Sequence, residues 1–488
     1  MPPKIHNTFS RFRFAGPLCF GAGAFGALAM APANFWPALF VSFPILYLTL
    51  HLTKDKKRAF ALGWLFGFGY FAFSLSWIGN ALLVDGNPYK WAWILAVTGL
   101  PAILALFPAC ATLATRLRPL NSISGFFAFV LLMGASEWLR GNIFTGFPWN
   151  LYGYSWADIL EIVQITSLVS TYILTLLTIF WASTPVFWAL NAPKKAAIIT
   201  VLSIASFTAC FAYGHHRLTH TEIVYHEGVQ ARLIQPNINQ ADKWDSRKVA
   251  AHFSTLLELS RADNSGTAPP PKTTYIIWPE TAINNWFTRD KGSINAMRSM
   301  LHSYDKGAAL FTGALRYNAA DKSYANSLMM VDQEGIISNI YNKHHLVPFG
   351  EYIPYQKWIP LKPVVQFTGF QKGDGLTAFE TPEGLKYSPL ICYEIIFPGK
   401  SIAEGTTPDF IINVTNDAWY GKSAGPHQHF IKALFRAVET GIPVFRVANT
   451  GFTGMIDPLG RAHNKTQLFE ENAQNVQIPK KITRTPLF

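Results

Sequence analysis

The chain has 488 residues, of which 50% are hydrophobic and only 14% charged. That is too apolar for a soluble protein of this size, and long enough for two or three domains. Its net charge of +12 suits nucleic acid by sign alone, but no basic helix with interleaved aromatics and no nucleic-acid motif appears, so that partner is excluded.

The apolar excess is concentrated in seven segments near 15–31, 35–51, 59–79, 91–114, 121–138, 162–188 and 194–213. Each is close to the ~20 residues an α-helix needs to cross hydrocarbon. The first has Lys4, Arg11 and Arg13 before its apolar run and Ala27-Leu28-Ala29 after it, like a signal peptide, but six more spans make it an anchor. Lys4, Arg11, Arg13, Lys54, Lys56, Lys57, Arg58, Arg116, Arg118, Lys194 and Lys195 fall in every second loop, against Lys90 and Arg140 in the others. This alternation puts the N-terminus in the cytoplasm and everything beyond residue 213 on the opposite face, which in a bacterium is the periplasm or outer surface. The spans carry almost no mid-depth charge, which argues against a transporter or proton pump. Glu137 and Arg140 are read at a membrane edge, opening a long outward loop that runs to Trp149.

From about residue 222 the periodicity changes. Strand-like runs at Val229–Gln235, Tyr275–Trp278, Ala308–Thr312, Ala325–Val331, Ile336–Lys343, Ser388–Cys392, Phe410–Thr415, Val444–Val447 and Gly454–Asp457 alternate with helical patterns at Arg247–Ala262, Ile294–Tyr304 and Gln428–Glu439. Such alternation predicts an α/β domain. The expected organisation is a helical membrane domain over 1–214, a catalytic domain over 222–475 and a tail over 476–488.

Of the four cysteines, Cys19, Cys110 and Cys210 lie in apolar segments, which leaves Cys392 as the one thiol of the polar half. A lone thiol on an oxidising side of the membrane is better explained by use than by accident. Its reactivity requires a base to take the proton and a cation to favour the charge that follows. Glu280 and Lys343 each close a β-like run, so strands can bring all three to one rim. His427-Gln-His429 has no third partner at metal-ligand spacing and is read as packing near a helix start, with no metal.

Trp278-Pro-Glu280, Asn342-Lys343, Phe349-Gly-Glu351-Tyr-Ile-Pro354 and Ile391-Cys392-Tyr-Glu394 resemble the Glu-Lys-Cys triad motifs of the nitrilase superfamily. Glu137-Trp-Leu-Arg140, Phe144-Thr-Gly-Phe-Pro-Trp149, Asn416-Asp-Ala-Trp-Tyr-Gly421 and Asn449-Thr-Gly451 are similar to its membrane-anchored branch, the apolipoprotein N-acyltransferase family. The resemblance covers nearly the whole chain. It implies an αββα sandwich on a helical membrane base and acyl transfer, with no cofactor, from a phospholipid to the α-amine of an N-terminal S-diacylglyceryl-cysteine. It implies Glu280 as general base, Cys392 as nucleophile carrying a thioester, and Lys343 as oxyanion support. Glu351 is implied to orient Lys343 or relay protons, Tyr393 to offer a backbone N–H, and Glu394 to position the loop. Trp149 and Trp244 are expected at the substrate, and Trp358 and Phe367 on a mobile apolar arm dipping into the membrane interface. Many members carry an eighth span after the soluble domain, and no apolar run leads up to Phe488. The competing reading is a membrane-tethered amidase that uses the same triad and passes the acyl group to water.

Overall fold

The structure is a computed structural model, and it describes residues 12–85, 87, 89–262, 271–319, 322–354 and 370–482. Among these, four helices are long and apolar enough to cross a membrane: Lys90–Leu117, Ile123–Asn142, Thr171–Ala189 and Pro193–His220. Lys56–Ser74 and Ser76–Leu83 pass the same test together but meet at a 57° bend, and Phe14–Ala29 and Trp36–His51 are shorter apolar helices. The bend has a local cause. Ser74 turns its hydroxyl back to the Tyr70 carbonyl at 2.7 Å and also receives Asn150 Nδ2, and such back-bonding loosens a helical ladder.

Two expectations for this region need correction. The stretch from Glu137 is helical as far as Asn142, because Glu137 and Arg140 pair one turn apart and are both buried. The segment expected at 162–188 is interrupted before Thr171, where Ser170 is extended and starts a new helix. The helices pack closely through small residues. A Cβ on Gly23 would lie 1.9 Å from the Phe66 carbonyl oxygen of the neighbouring helix, so only glycine permits this approach.

The second half contains two sheets. The first is ordered β13-β1-β2-β4-β5-β6, with β3 paired to β4. Its strands are β1 (Tyr225–Gln235), β2 (Thr273–Ile277), β3 (Ile283–Asn284), β4 (Ala308–Asn318), β5 (Ser323–Val331), β6 (Ile337–Asn342) and β13 (Asn472–Pro479). The second is ordered β12-β11-β10-β9-β8-β7, from β7 (Phe379–Glu380), β8 (Lys386–Ile391), β9 (Phe410–Thr415), β10 (Val444–Ala448), β11 (Gly454–Ile456) and β12 (Ala462–His463). Parallel pairs β1–β2–β4 and β8–β9–β10 form the centres, and antiparallel strands form the flanks.

Inward residues of both sheets, among them Leu233, Tyr275, Phe311, Tyr387, Phe410 and Phe445, make one core between them. Each such side chain contributes roughly 1.5–3 kcal/mol through burial. Helices Val249–Ser260 and Lys291–Leu301 cover the first sheet from outside. Helix Ala424–Thr440 covers the second, and its other face belongs to the core of the helical region. The layers are therefore helix, sheet, sheet, helix, with the last helix shared with the apolar base.

Strand β13 crosses the expected boundary at 475, since Val476 and Gln477 still pair with β1. Its alternation of Asn and Gln with Ala, Val and Ile leaves little apolar signal. The Gly/Pro-rich stretch Ser265–Lys272, which its composition predicts to be a loop, lies largely outside the described residues.

Candidate active site

The central strands of both sheets end at one rim, the usual location of a site in parallel sheets. Glu280 follows β2, Lys343 follows β6, Cys392 follows β8, and Asn416 and Asp417 follow β9. The structure brings together the three residues expected as a triad. Lys343 Nζ lies 3.6 Å from Glu280 Oε1 and 3.0 Å from Glu351 Oε1, and Cys392 lies in the fields of both Glu280 and Lys343.

Glu280 is held from all sides. Asn326 Nδ2 donates to its Oε1 at 2.7 Å, and the Asn416 backbone N–H donates to its Oε2 at 2.8 Å. The backbone of this turn rests on β4 at Gly313, where a Cβ would lie 2.3 Å from the Pro279 oxygen and 2.7 Å from Glu280 Cα. Two donors and a nearby ammonium aim the Glu280 side chain in one direction.

Lys343 is buried. Burial alone would lower its value, but the Glu351 carboxylate, then Glu280, outweigh it and hold the ammonium charged above its ordinary range. Glu351 also accepts from Asn326 Nδ2 at 3.3 Å and the Val347 N–H at 2.8 Å, which fixes the carboxylate that orients the lysine.

Cys392 departs from the sequence picture in one respect. It is not in the strand but one residue beyond it, with φ +53° at the start of a short 3-10 turn, Cys392–Ile396. A non-glycine residue in left-handed backbone is costly and is retained where its surroundings over-determine it. Burial pushes the thiol up, Glu280 adds to that, and Lys343 opposes it. Burial and Glu280 together thus favour the neutral thiol.

Glu394 ties this turn to the loop that carries Lys343. Its Oε2 accepts the Ile391 N–H at 2.7 Å, while Oε1 accepts the His344 N–H at 2.8 Å, the His345 N–H at 3.1 Å and the Tyr341 hydroxyl at 2.8 Å. Tyr393 donates its hydroxyl to the Gly146 carbonyl at 3.1 Å, in the helical region.

Trp149 is placed differently from expectation. It is 1% exposed, with its indole N–H 2.9 Å from Gln428 Oε1 and its ring against Trp77, Tyr420 and His429. All its surface is used in packing, so it offers no face to a substrate here. Trp244 is partly buried at the rim, with Lys243 Nζ 5.6 Å from its ring centroid. Trp358 and Phe367 lie outside the described residues.

Sequence reasoning missed several supports. Beneath Cys392, His429 Nε2 lies 3.2 Å from the Cys392 carbonyl oxygen and His429 Nδ1 lies 2.8 Å from Asp417 Oδ1. Arg446 donates to Asp417 Oδ2 at 2.8 Å and to Asn413 Oδ1 at 2.6 Å. The sequence read both imidazoles as packing; His427 stacks edge-on against Phe452, whereas His429 sits fully buried under Cys392. Gln428, between them, spans the two regions. Its Oε1 accepts from Trp77 and Trp149, and its Nε2 donates to the carbonyls of Ala31 and Ser74 at 3.1 Å each. The Asn416-Asp417 motif carried a signal for part of this network, whereas Lys243, Asn326 and Gln428 carried none.

Two sheets with outer helices, and an acid, a lysine and a cysteine on one rim, define the class as carbon–nitrogen hydrolase. Residues 230–486 match the carbon-nitrogen hydrolase family and residues 22–184 match the apolipoprotein N-acyltransferase N-terminal domain. The chain is 38% identical over 477 residues to the apolipoprotein N-acyltransferase of Allorhizobium ampelinum, covering 94% of this chain and 88% of that one. It is 35% identical over 483 residues to that of Rhodopseudomonas palustris, covering 95% and 89%. A solved CN-hydrolase superfamily protein from Xanthomonas campestris aligns with 53% of this chain and 91% of its own at 17% identity and a TM-score of 0.37. The chain belongs to the apolipoprotein N-acyltransferase family.

Proposed function

We propose that this enzyme moves an acyl chain from a phospholipid to the α-amine of the N-terminal S-diacylglyceryl-cysteine of apolipoproteins. It works in two steps through a thioester on Cys392, in a bacterial inner membrane with the α/β domain on the periplasmic side. The carrying observation is that the nucleophile turn is joined to the apolar base: Tyr393 bonds Gly146 one residue from Cys392. The loop alternation of Lys and Arg supports the orientation.

In the first step Glu280 takes the Sγ proton and the thiolate attacks the ester carbonyl carbon of the lipid. The tetrahedral oxyanion forms near Lys343, where fixed positive charge contributes about 3–4 kcal/mol. Collapse breaks the ester C–O bond, and the departing lysophospholipid oxygen takes the proton from Glu280. In the second step the neutral lipopeptide amine attacks the thioester. The C–S bond breaks, the amine proton leaves through Glu280 to the thiolate, and an amide remains. Glu351 keeps Lys343 in place, and Glu394 holds the two loops in register.

The test supplies purified enzyme with phosphatidylethanolamine and a synthetic diacylglyceryl-cysteine peptide and follows the products by mass. N-acylated peptide with stoichiometric lysophospholipid is the expected outcome. Free fatty acid with unmodified peptide would instead show that the acyl group passes to water, as in the hydrolase reading.

A further inference from the structure

Lys243 is 5% exposed and has no carboxylate within ion-pairing distance among the described residues. Its ammonium donates to the Glu280 carbonyl oxygen at 3.1 Å and to Thr281 Oγ1 at 2.7 Å. Thr281 has φ +46°, left-handed backbone that a β-branched residue rarely adopts. The turn that aims Glu280 is therefore strained, and a buried lysine grips it on both sides of that residue.

We propose that Lys243 is a positioning residue for the general base, its ammonium clamping the Glu280–Thr281 turn so that the Glu280 carboxylate faces Cys392. The inference rests on the reading of Glu280 as base. Glu280 and Cys392 face the amine from the rim, His252 faces it from helix Val249–Ser260, and the Trp244 ring lies beside it. Burial lowers its value to about 8, with Glu280 and then Cys392 opposing. A lysine left without a partner carboxylate at this depth is costly unless its charge is used. Glu280 and Glu351 share the single ammonium of Lys343, and the charge of Lys243 offsets the excess.

The test is alkylation of Cys392 by iodoacetamide in the full-length enzyme, read on the Cys392 peptide by mass across pH 6–10. Lys243→Met keeps the stem and removes the charge. The expected result is alkylation about tenfold slower at pH 7, a pH profile displaced upward, and no further slowing when Lys243→Met is added to Glu280→Gln. A structural role alone would lower thermal stability without moving the profile. Should Lys243→Met fail to fold, Thr281→Ala removes one of the two acceptors and is expected to slow alkylation about threefold, again not additively with Glu280→Gln. Wild-type rate and profile in the folded variant, or additivity with Glu280→Gln, would overturn the proposal. Iodoacetamide needs neither lipid nor peptide, so an error in the proposed substrates leaves this test intact. Glu280→Gln at the wild-type rate would remove the base assignment and the Lys243 role with it.

Discussion

The two sheets support the site by different physics. The first sheet and its loops supply the charged groups Glu280, Lys343, Glu351 and Lys243 and the amide of Asn326, and hold them by hydrogen bonds and ion pairs among themselves. The second sheet supplies Cys392, and its outer helix is embedded in the apolar base through Gln428, Arg436 and a cluster of aromatic rings. On the proposed mechanism, proton transfer is a local matter of the α/β sandwich, whereas the position of the thiol is tied to the apolar base.

The largest effect is expected at the thiol. Cys392→Ala and Cys392→Ser should abolish an acyl-enzyme adduct, while single substitutions of Cys19, Cys110 or Cys210 leave turnover nearly intact, as followed by product mass. Substantial turnover in Cys392→Ala would remove the second sheet from the chemistry.

Next come the charges of the first sheet. Glu280→Gln should slow thioester formation by roughly 10²–10⁴-fold, and Lys343→Ala by roughly 10²–10³-fold. Lys343→Ala also removes the one cation within ion-pairing distance of Glu280 and Glu351 among the described residues, at a cost of roughly 3–5 kcal/mol of stability. The check is adduct formation from a phospholipid and from a small soluble ester, beside thermal unfolding. If either variant charged Cys392 at the wild-type rate and failed only in transfer to the amine, the assigned roles would be wrong.

The bond between regions is probed by Gln428→Leu. It strands two indole N–H groups and two carbonyls, each worth about 1 kcal/mol or more when left unpaired. Unfolding should occur several degrees lower, while the folded variant loses less than tenfold in Cys392 alkylation. An unchanged melting temperature would mean that the second sheet does not depend on the helical base.

The smallest effect is one of pH. Burial would raise the Asp417 carboxyl, but Arg446 and His429 outweigh it and bring it down to about 2. A carboxyl lower in the folded than the unfolded state adds stability that is fully present above its unfolded value of about 4. It is lost as pH falls towards 2, and amounts to about 2 kcal/mol. Asp417→Asn should flatten that part of the stability curve, measured by denaturant unfolding between pH 2 and 5.

Much of this was legible in the sequence because it depends on short-range pattern. The longer strands alternate or run apolar, so β2, β6, β8 and β9 and the polar residues at their ends stood out. The two-residue strands β3, β7 and β12 are too short to have a period, and β13 is masked by its amides. Lys243, Asn326 and Gln428 act on partners 37, 46 and about 350 residues away, and nothing local marks a residue whose role is set by such a neighbour. The left-handed backbone at Cys392 was equally hidden, since no glycine announces it. Trp149 was expected at the substrate from the family motif alone, and a motif does not show that the fold encloses the ring.

The account rests on Cys392 carrying the acyl chain between donor and acceptor. Intact-mass and peptide analysis of the enzyme after incubation with phosphatidylethanolamine alone tests it most directly. The predicted result is one hydroxylamine-labile acyl group on the Cys392 peptide, which disappears when diacylglyceryl-cysteine peptide is added and reappears on that peptide as an amide. Formation of the N-acylated peptide at full rate with no acyl group on Cys392 at any time would contradict it.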